Sequence, residues 1–239
     1  MSNYKLSYKS FGESAVLIEW PSEINEAILC DIVAFKNKIE EDINLQDIIV
    51  GYNSLVLVSC YKIEDIDEKI YLLNKLYHQP VKAEFQKITH WEIPVCYDQQ
   101  FGIDLEEISQ ANMIDKDEII QLHTNPIYTV YFVGFLPGFL YLGGLDDQLA
   151  IPRKSTPRLR VPKGAVAIGG NQTGVYPTKS SGGWNIIGNS PISFFDVEKA
   201  SPCFAKTGDK ISFKSVSLNA YKEIAKEVEK NAYQMKTIL

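Results

Sequence analysis

The stretch IPRKSTPRLRVPKGAVAIGGNQTGVYPTKSSGGWNIIGNSP, residues 151–191, carries the clearest structural pattern in this chain. Short apolar runs such as AVAIGG and WNIIG alternate in it with clusters of Gly, Pro and Ser, a pattern typical of short strands joined by tight turns. The same pattern extends over about residues 127–213. Short strands at this spacing predict a closed or nearly closed β-barrel.

The same stretch holds every arginine of the chain, namely Arg153, Arg158 and Arg160, while all other basic residues are lysines. No acidic residue lies between Asp147 and Asp196. A planar, forked and permanently charged guanidinium is well suited to a carboxylate or a phosphate. We therefore predict a site for a small anion. The alternative is that the arginines cap strand ends or pair with distant carboxylates.

Other residues of the stretch suit such a site. Paired glycines let backbone N–H groups approach an anion, although they also occur simply as turn residues. Aromatic rings provide a wall for a small ring, although rings this frequent are more often core. The candidate binding residues are Tyr141, Arg160, Gly169, Gly170, Tyr176, Ser180, Gly182, Gly183 and Trp184.

The candidate catalytic residues are His123, Arg153 and Arg158. His123 is the histidine nearest to the site in the expected order of elements, and an imidazole can act as an acid or base near neutral pH. The alternative is that His123 only caps the end of its helix. Ser180 has no visible base partner, so a nucleophilic role for it is weakly supported.

The overall composition excludes several classes of protein. A pI of about 5.2 and a net charge of −6 argue against a nucleic-acid binder, which needs a basic face. The four cysteines and three histidines are scattered, so no metal site is predicted and the thiols are expected to be reduced. The start, MSNYKLSYKSF, has no signal-peptide pattern, and Pro137 interrupts the uncharged segment 127–145. We expect a soluble, cytoplasmic protein with no membrane partner.

Two domains are predicted. Residues 1–88 form a small α+β domain in the order ββαββα, with strands at 4–11, 14–20, 46–52 and 54–61, one helix opening at Pro21-Ser22 and another over 65–79. Residues 89–239 form a mostly β domain. It begins with a strand at 89–97 and two short helices that start at Asp104 and Asp115, the latter with capping-box spacing. It ends with an amphipathic helix from Leu218 that includes Met235.

The segment GFLPGFLYLGGL, residues 134–145, together with residues 151–191, resembles the allophanate hydrolase subunit 1 family. The resemblance is strong over about residues 90–215 and includes IPVCYDQQFGIDLEEI upstream. It implies a cyclophilin-like barrel for the second domain. The Phe-His-Arg run of active cyclophilins does not occur, so the resemblance does not imply a prolyl isomerase.

The resemblance also implies a function, because the family includes subunits of ATP-dependent 5-oxoprolinases. It implies a hydrolase subunit that acts on a small carboxylate, 5-oxo-L-proline, with ATP as co-substrate of the complex and with A-like and C-like subunits as partners. The chain has no P-loop motif of its own. Two alternatives stay open within the family, namely a KipI-like inhibitor of a sensor histidine kinase and a subunit linked to urea carboxylase and allophanate hydrolase.

Overall fold

Two units make up the chain, Met1–Lys87 and Ile88–Leu239. The computed structural model describes residues 4–40, 45–80 and 87–238. Among these residues no helix is long and apolar enough to span a membrane. The uncharged segment 127–145 instead forms two strands and a loop.

The N-terminal unit is a four-stranded antiparallel sheet with two helices. Its elements are β1 (Ser7–Ser10), β2 (Ala15–Glu19), α1 (Glu26–Ile39), β3 (Leu45–Val50), β4 (Ser54–Ser59) and α2 (Ile66–Tyr77). The strand order is β1-β2-β4-β3. Because side chains alternate along a strand, Val16 and Ile18 of β2 and Leu57 of β4 enter one core, where Ile32 and Phe35 of α1 also lie.

Helix α1 begins later than the sequence predicts. Pro21-Ser22 is the expected start, but the helix begins at Glu26 because the Asn25 side chain caps it and accepts the Ala27 N–H at 2.8 Å. The predicted strands of this unit are also shorter in the structure by one to four residues.

The C-terminal unit is built on an eight-stranded sheet. Its strands are β5 (His90–Val95), β6 (Tyr128–Val133), β7 (Leu140–Gly143), β9 (Ala165–Gly169), β10 (Gln172–Val175), β12 (Asn185–Asn189), β13 (Lys210–Ser215) and β14 (Lys236–Ile238). Their order is β12-β9-β10-β7-β6-β13-β5-β14. Two further strands, β8 (Arg158–Val161) and β11 (Ser180–Gly182), pair only with each other in the described residues.

The sheet does not close into a barrel through a continuous ladder. Cys96, just after β5, forms a bridge with Asn189 at the end of β12, through two backbone hydrogen bonds of 2.9 Å. The Asn189 side chain also donates to the Lys163 carbonyl at 2.9 Å and accepts the Tyr221 hydroxyl at 2.8 Å. The sheet is therefore curled, and its two sides meet at this bridge, which we call the seam.

Three helices accompany the sheet, α3 (Leu105–Asn112), α4 (Lys116–Thr124) and α5 (Leu218–Glu229). The two short helices start where predicted, but the capping box expected at Asp115 is wrong, because that side chain makes no capping hydrogen bond. The final helix is also shorter than expected. It ends at Glu229, Asn231 adopts a left-handed φ of 55°, and Met235 precedes β14 instead of lying on a helix.

Candidate functional site

The chain around Arg153 is fixed on both sides by hydrogen bonds to its backbone. The Asn185 side chain donates to the Pro152 carbonyl at 3.0 Å, and the Lys154 N–H donates to the Gly183 carbonyl at 2.7 Å. Asn185 is itself buried, so it is a rigid support. The backbone of Arg153 is therefore held next to the turn that carries Trp184.

The Arg153 side chain lies over the indole of Trp184, with its Cζ atom 5.5 Å from the ring centroid. A cation above an aromatic face at this distance contributes about 0.5–1 kcal/mol at an exposed site. Arg153 is exposed, whereas Trp184 is buried. No salt bridge is formed by Arg153 within the described part of the chain. The edge of this guanidinium is therefore available to a carboxylate or phosphate.

An aromatic cluster continues inward from Trp184. The Phe139 ring centroid lies 5.5 Å from that of Trp184 and 5.4 Å from that of Tyr176, both edge-to-face. Tyr141 lies 6.3 Å from Trp184 and 4.8 Å from Phe139. The predicted site residues Tyr141, Tyr176 and Trp184 thus share one packed cluster, which we call the aromatic wall together with Phe139.

Two of the predicted glycines serve this wall by leaving room for its rings. A Cβ atom on Gly169 would lie 2.5 Å from the Trp184 ring, and one on Gly182 would collide with the Tyr176 phenol. Gly170 has a φ of +67° in the turn between β9 and β10, and its N–H donates to the Ile151 carbonyl at 2.7 Å. That N–H is already occupied, so its predicted role toward an anion has no support in this geometry.

Their surroundings make both tyrosines of the wall harder to deprotonate. Burial raises the pKa of Tyr176. A hydrogen bond with the Trp184 backbone and the positive charges of Arg153 and Arg158 lower this pKa, but by less than burial raises it. Burial likewise raises the pKa of Tyr141, against the charge of Arg153. Both phenols are therefore neutral hydrogen-bond donors beside a positive charge at neutral pH.

Arg158 has a different environment, because it pairs with a carboxylate from the start of α3. Its Nη2 atom donates to Asp104 Oδ1 at 2.5 Å, and Asp104 Oδ2 accepts the Ile186 N–H at 2.7 Å. The Asp104 side chain is only 3% exposed and that of Arg158 29%. The alternative of a distant carboxylate partner therefore describes Arg158 correctly, although not Arg153.

Lys154 joins the same group of charges. Its Nζ atom lies 2.6 Å from Glu107 Oε2 and 3.3 Å from Asp104 Oδ1. The sequence alone does not identify Asp104 and Glu107 as partners of these basic residues. Both lie outside the acid-free stretch, and the sequence indicates Asp104 only as the start of a helix. A carboxylate 54 positions from its arginine has no local sequence signal.

The remaining predicted residues are more peripheral. Arg160 is exposed and forms no ion pair among the described residues. The Ser180 hydroxyl donates to the Ser181 carbonyl at 3.1 Å, and Gly183 lies beside Pro157 with room for a side chain. The described residues contain no group of three or more His, Cys, Asp or Glu that could hold a metal.

His123 lies in the main core of the C-terminal unit. Its ring is fully buried, with Nδ1 2.7 Å from the Tyr97 hydroxyl and Nε2 2.8 Å from the Thr173 hydroxyl, and it stacks on Phe213. Burial lowers the pKa of His123 to about 3. Neither its hydrogen bonds nor its ring contacts among the described residues involve Arg153. Its catalytic role stays a prediction, and this environment favours a structural one.

Comparison with known proteins places this geometry in a family. The model of the carboxyltransferase domain, subdomain C and D, matches residues 6–205. The B subunit of 5-oxoprolinase from Haemophilus influenzae is 37% identical over 201 residues, covering 84% of this chain and 93% of that protein. The B subunit of 5-oxoprolinase from Bacillus subtilis is 35% identical over 237 residues, covering 90% and 96%.

Solved structures also have folds similar to that of this chain. The crystal structure of TTHA0988 has a TM-score of 0.72 at 30% identity, over 85% of this chain, which spans only 40% of that one. The Kluyveromyces lactis urea amidolyase has a TM-score of 0.83 at 16% identity over 98% of this chain and 16% of its own, which shows a shared fold of mixed helices and sheets. The chain therefore belongs to the carboxyltransferase domain family, subdomain C and D, and its predicted similarity to the 5-oxoprolinase B subunits is confirmed.

Proposed function

We propose that this chain is the B subunit of an ATP-dependent 5-oxoprolinase, which converts 5-oxo-L-proline to L-glutamate with hydrolysis of ATP. The observation that carries the proposal is the similarity to two 5-oxoprolinase B subunits over 93% and 96% of their lengths. Likeness to the urea enzymes, at 16% identity, concerns the fold alone.

The surface at Arg153 suits this reaction. 5-Oxoproline is a five-membered lactam with one carboxylate. Its ATP-dependent ring opening passes through a phosphorylated intermediate. The Arg153 guanidinium offers paired N–H donors to such an oxyanion, and a charge-assisted hydrogen bond contributes about 1.5–3 kcal/mol. The buried Trp184 ring of the aromatic wall lies under this guanidinium and supports it. In this proposal Arg153 orients the substrate and stabilises the developing negative charge.

The proposal includes partner subunits. A-like and C-like subunits complete a hetero-oligomer in the cytoplasm, ATP is a co-substrate of that complex, and the site is shared at the contact between the B and C subunits. The curled sheet of the C-terminal unit is, in this proposal, a cyclophilin-like barrel whose ladder is interrupted at the seam. The exposure of Arg153 supports a shared site, because the edge of its guanidinium is open to a ligand held between two subunits.

The test is reconstitution. The chain is co-expressed with candidate A and C subunits, and ATP-dependent release of glutamate from 5-oxo-L-proline is measured with and without it. We expect activity only when all three are present. Replacing Arg153, Arg158 and Arg160 together by alanine should abolish it. Unchanged activity without this chain, or with the triple variant, would contradict the proposal.

A further inference from the structure

We propose that Asp104 is a positioning residue that withholds Arg158 from the ligand and leaves Arg153 as the anion-binding arginine of this chain. The identity of the anion as substrate carboxylate rests on the proposed function. The division between the two arginines does not, because it follows from their surroundings.

Asp104 binds two strands of the C-terminal unit. Its two oxygens bind different elements, one the Arg158 side chain at 2.5 Å and the other the backbone N–H of Ile186 at 2.7 Å. Because the carboxylate is 3% exposed, water competes little for either oxygen. Strands β8 and β12 are thus joined through one buried acid at the start of α3.

Arg158 is poorly placed to take a ligand. Its charge faces the Asp104 carboxylate, and its Nη1 atom is buried with no hydrogen-bond partner in the described structure. A ligand could reach this Nη1 atom only if the residues that bury it moved away. Leaving that donor unpaired is costly, so the ion pair serves the geometry of the segment more than its stability.

Arg153 is in the opposite situation. It is exposed, forms no ion pair among the described residues, and lies over the ring of Trp184. The next residue, Lys154, is fixed twice, by its N–H on Gly183 and by its Nζ atom near Asp104 and Glu107. Asp104 therefore acts on Arg153 through the neighbouring Lys154, whose Nζ atom lies 3.3 Å from Asp104 Oδ1.

The ligand class follows from these groups. One guanidinium edge can bind two oxygens of a carboxylate or of a phosphoryl group, and the buried Trp184 ring supports one face of that guanidinium. 5-Oxo-L-proline offers a carboxylate attached to a ring, whereas inorganic phosphate offers only the charged oxygens. Comparing these two probes separates recognition of the charge from recognition of the ring.

The first experiment uses the fact that the chain has only three arginines. Labelling arginine with stable isotopes gives one guanidinium signal for each, assigned by replacing them singly with lysine. In the full chain we expect slow proton exchange and hindered rotation at Arg158 alone, lost in Asp104→Asn. Rotation at Arg158 as free as at Arg160 in the unmodified chain would overturn the proposal, whatever the protein's activity.

The second experiment adds each probe to the labelled chain assembled with its partner subunits. We expect the Arg153 signal to move with 5-oxo-L-proline and, more weakly, with inorganic phosphate, while Arg158 stays still. In Asp104→Asn the apparent Kd at Arg153 should rise roughly tenfold, about 1.4 kcal/mol. A response at Arg158, or none at Arg153, contradicts the assignment.

Kinetics separate positioning from stability. Arg153→Gln should raise the KM for 5-oxo-L-proline roughly 10- to 100-fold, and Asp104→Asn roughly tenfold. The double variant Asp104→Asn, Arg158→Gln leaves no lone charge, so it should regain the melting temperature but not the KM. Recovery of both would reduce Asp104 to a structural residue. Lys222→Gln, exposed on α5, is the control and should match the unmodified chain.

The two proposals fail differently. If no glutamate is released by the reconstituted subunits, the 5-oxoprolinase assignment is wrong, yet a hindered Arg158 and a phosphate response at Arg153 would still support the division of roles. If glutamate is released but the two arginines respond alike, the function stands and the role of Asp104 is wrong.

Discussion

Asp31 in the N-terminal unit and Asp104 in the C-terminal unit are both buried carboxylates, yet they have different kinds of partner. Asp31 Oδ2 accepts the Trp20 indole N–H at 2.9 Å and the Tyr77 hydroxyl at 2.6 Å, both uncharged donors within one core. Asp104 pairs with the charged Arg158 and holds a backbone N–H. A carboxylate with neutral partners fixes a core, whereas one with a cationic partner also determines which charges remain available at the surface.

The largest expected difference comes from replacing each acid by asparagine. Asp104→Asn leaves the partly buried Arg158 without a counter-charge and should lower the free energy of unfolding by about 2–3 kcal/mol. Asp31→Asn keeps one acceptor oxygen for its neutral donors and should cost about 1 kcal/mol. Urea unfolding measures both. Equal losses would remove the distinction between the two sites.

A smaller effect is expected from the packing of the aromatic wall. Gly169→Ala should cost about 2 kcal/mol, because the new Cβ would lie 2.5 Å from the Trp184 ring and force it to shift. Gly183→Ala is the matched control, since its Cβ would meet its nearest neighbour at an ordinary 3.5 Å. Melting temperatures and the near-ultraviolet circular dichroism of the tryptophans report the shift. If both alanines are tolerated alike, Trp184 is loosely held.

The buried histidine extends the comparison to pH. The pKa of His123 is about 3 in the folded chain and near 6.5 when unfolded, so the unfolded chain binds more protons between these values. This contribution to stability is complete above pH 6.5 and falls by up to about 1.4 kcal/mol for each pH unit below it.

Replacing the ring tests that slope. At pH 5.5 the loss relative to pH 7.5 should be smaller in His123→Gln than in the unmodified chain by about 1 kcal/mol. Tyr97→Phe is the control, because it removes a ring partner at 2.7 Å but keeps the titrating group, and so should lower stability at every pH without changing the slope. An unaltered slope in His123→Gln would show that another group titrates there.

The smallest effect tests the neutral partners of Asp31. Tyr77→Phe removes the 2.6 Å hydrogen bond and should cost about 1 kcal/mol in urea unfolding. Tyr71→Phe, on the same helix but 66% exposed, should change stability by less than about 0.5 kcal/mol. A larger loss at Tyr71 than at Tyr77 would contradict the assigned core.

Local sequence patterns predict many of the helices and strands, because interactions between residues close in sequence determine where these elements form. The four strands and two helices predicted for the N-terminal region all occur in the structure, in the predicted order. The predicted end of α5 is wrong because its apolar spacing continues to Met235, while the pairing of β14 with β5 depends on distant residues.

The site is less predictable than the fold. The chemistry of arginine indicates an anion site, and the structure leaves Arg153 open for one. Which arginine is free depends on Asp104, which lies 54 positions before Arg158 and also has a simple interpretation as a helix start. Likewise, whether His123 is accessible depends on the packing of β10 and β13 around it, which no local pattern encodes.

The seam has a consequence for slow local motion. Two backbone hydrogen bonds between Cys96 and Asn189 join the sides of the curled sheet. The Tyr221 hydroxyl of α5 stabilises them by donating a hydrogen bond to the Asn189 side chain. Amide deuterium uptake at these two positions should therefore rise together when Tyr221→Phe is introduced, while the interior of β9 remains protected. The last helix would then control how often the two sides of the curled sheet separate at the seam.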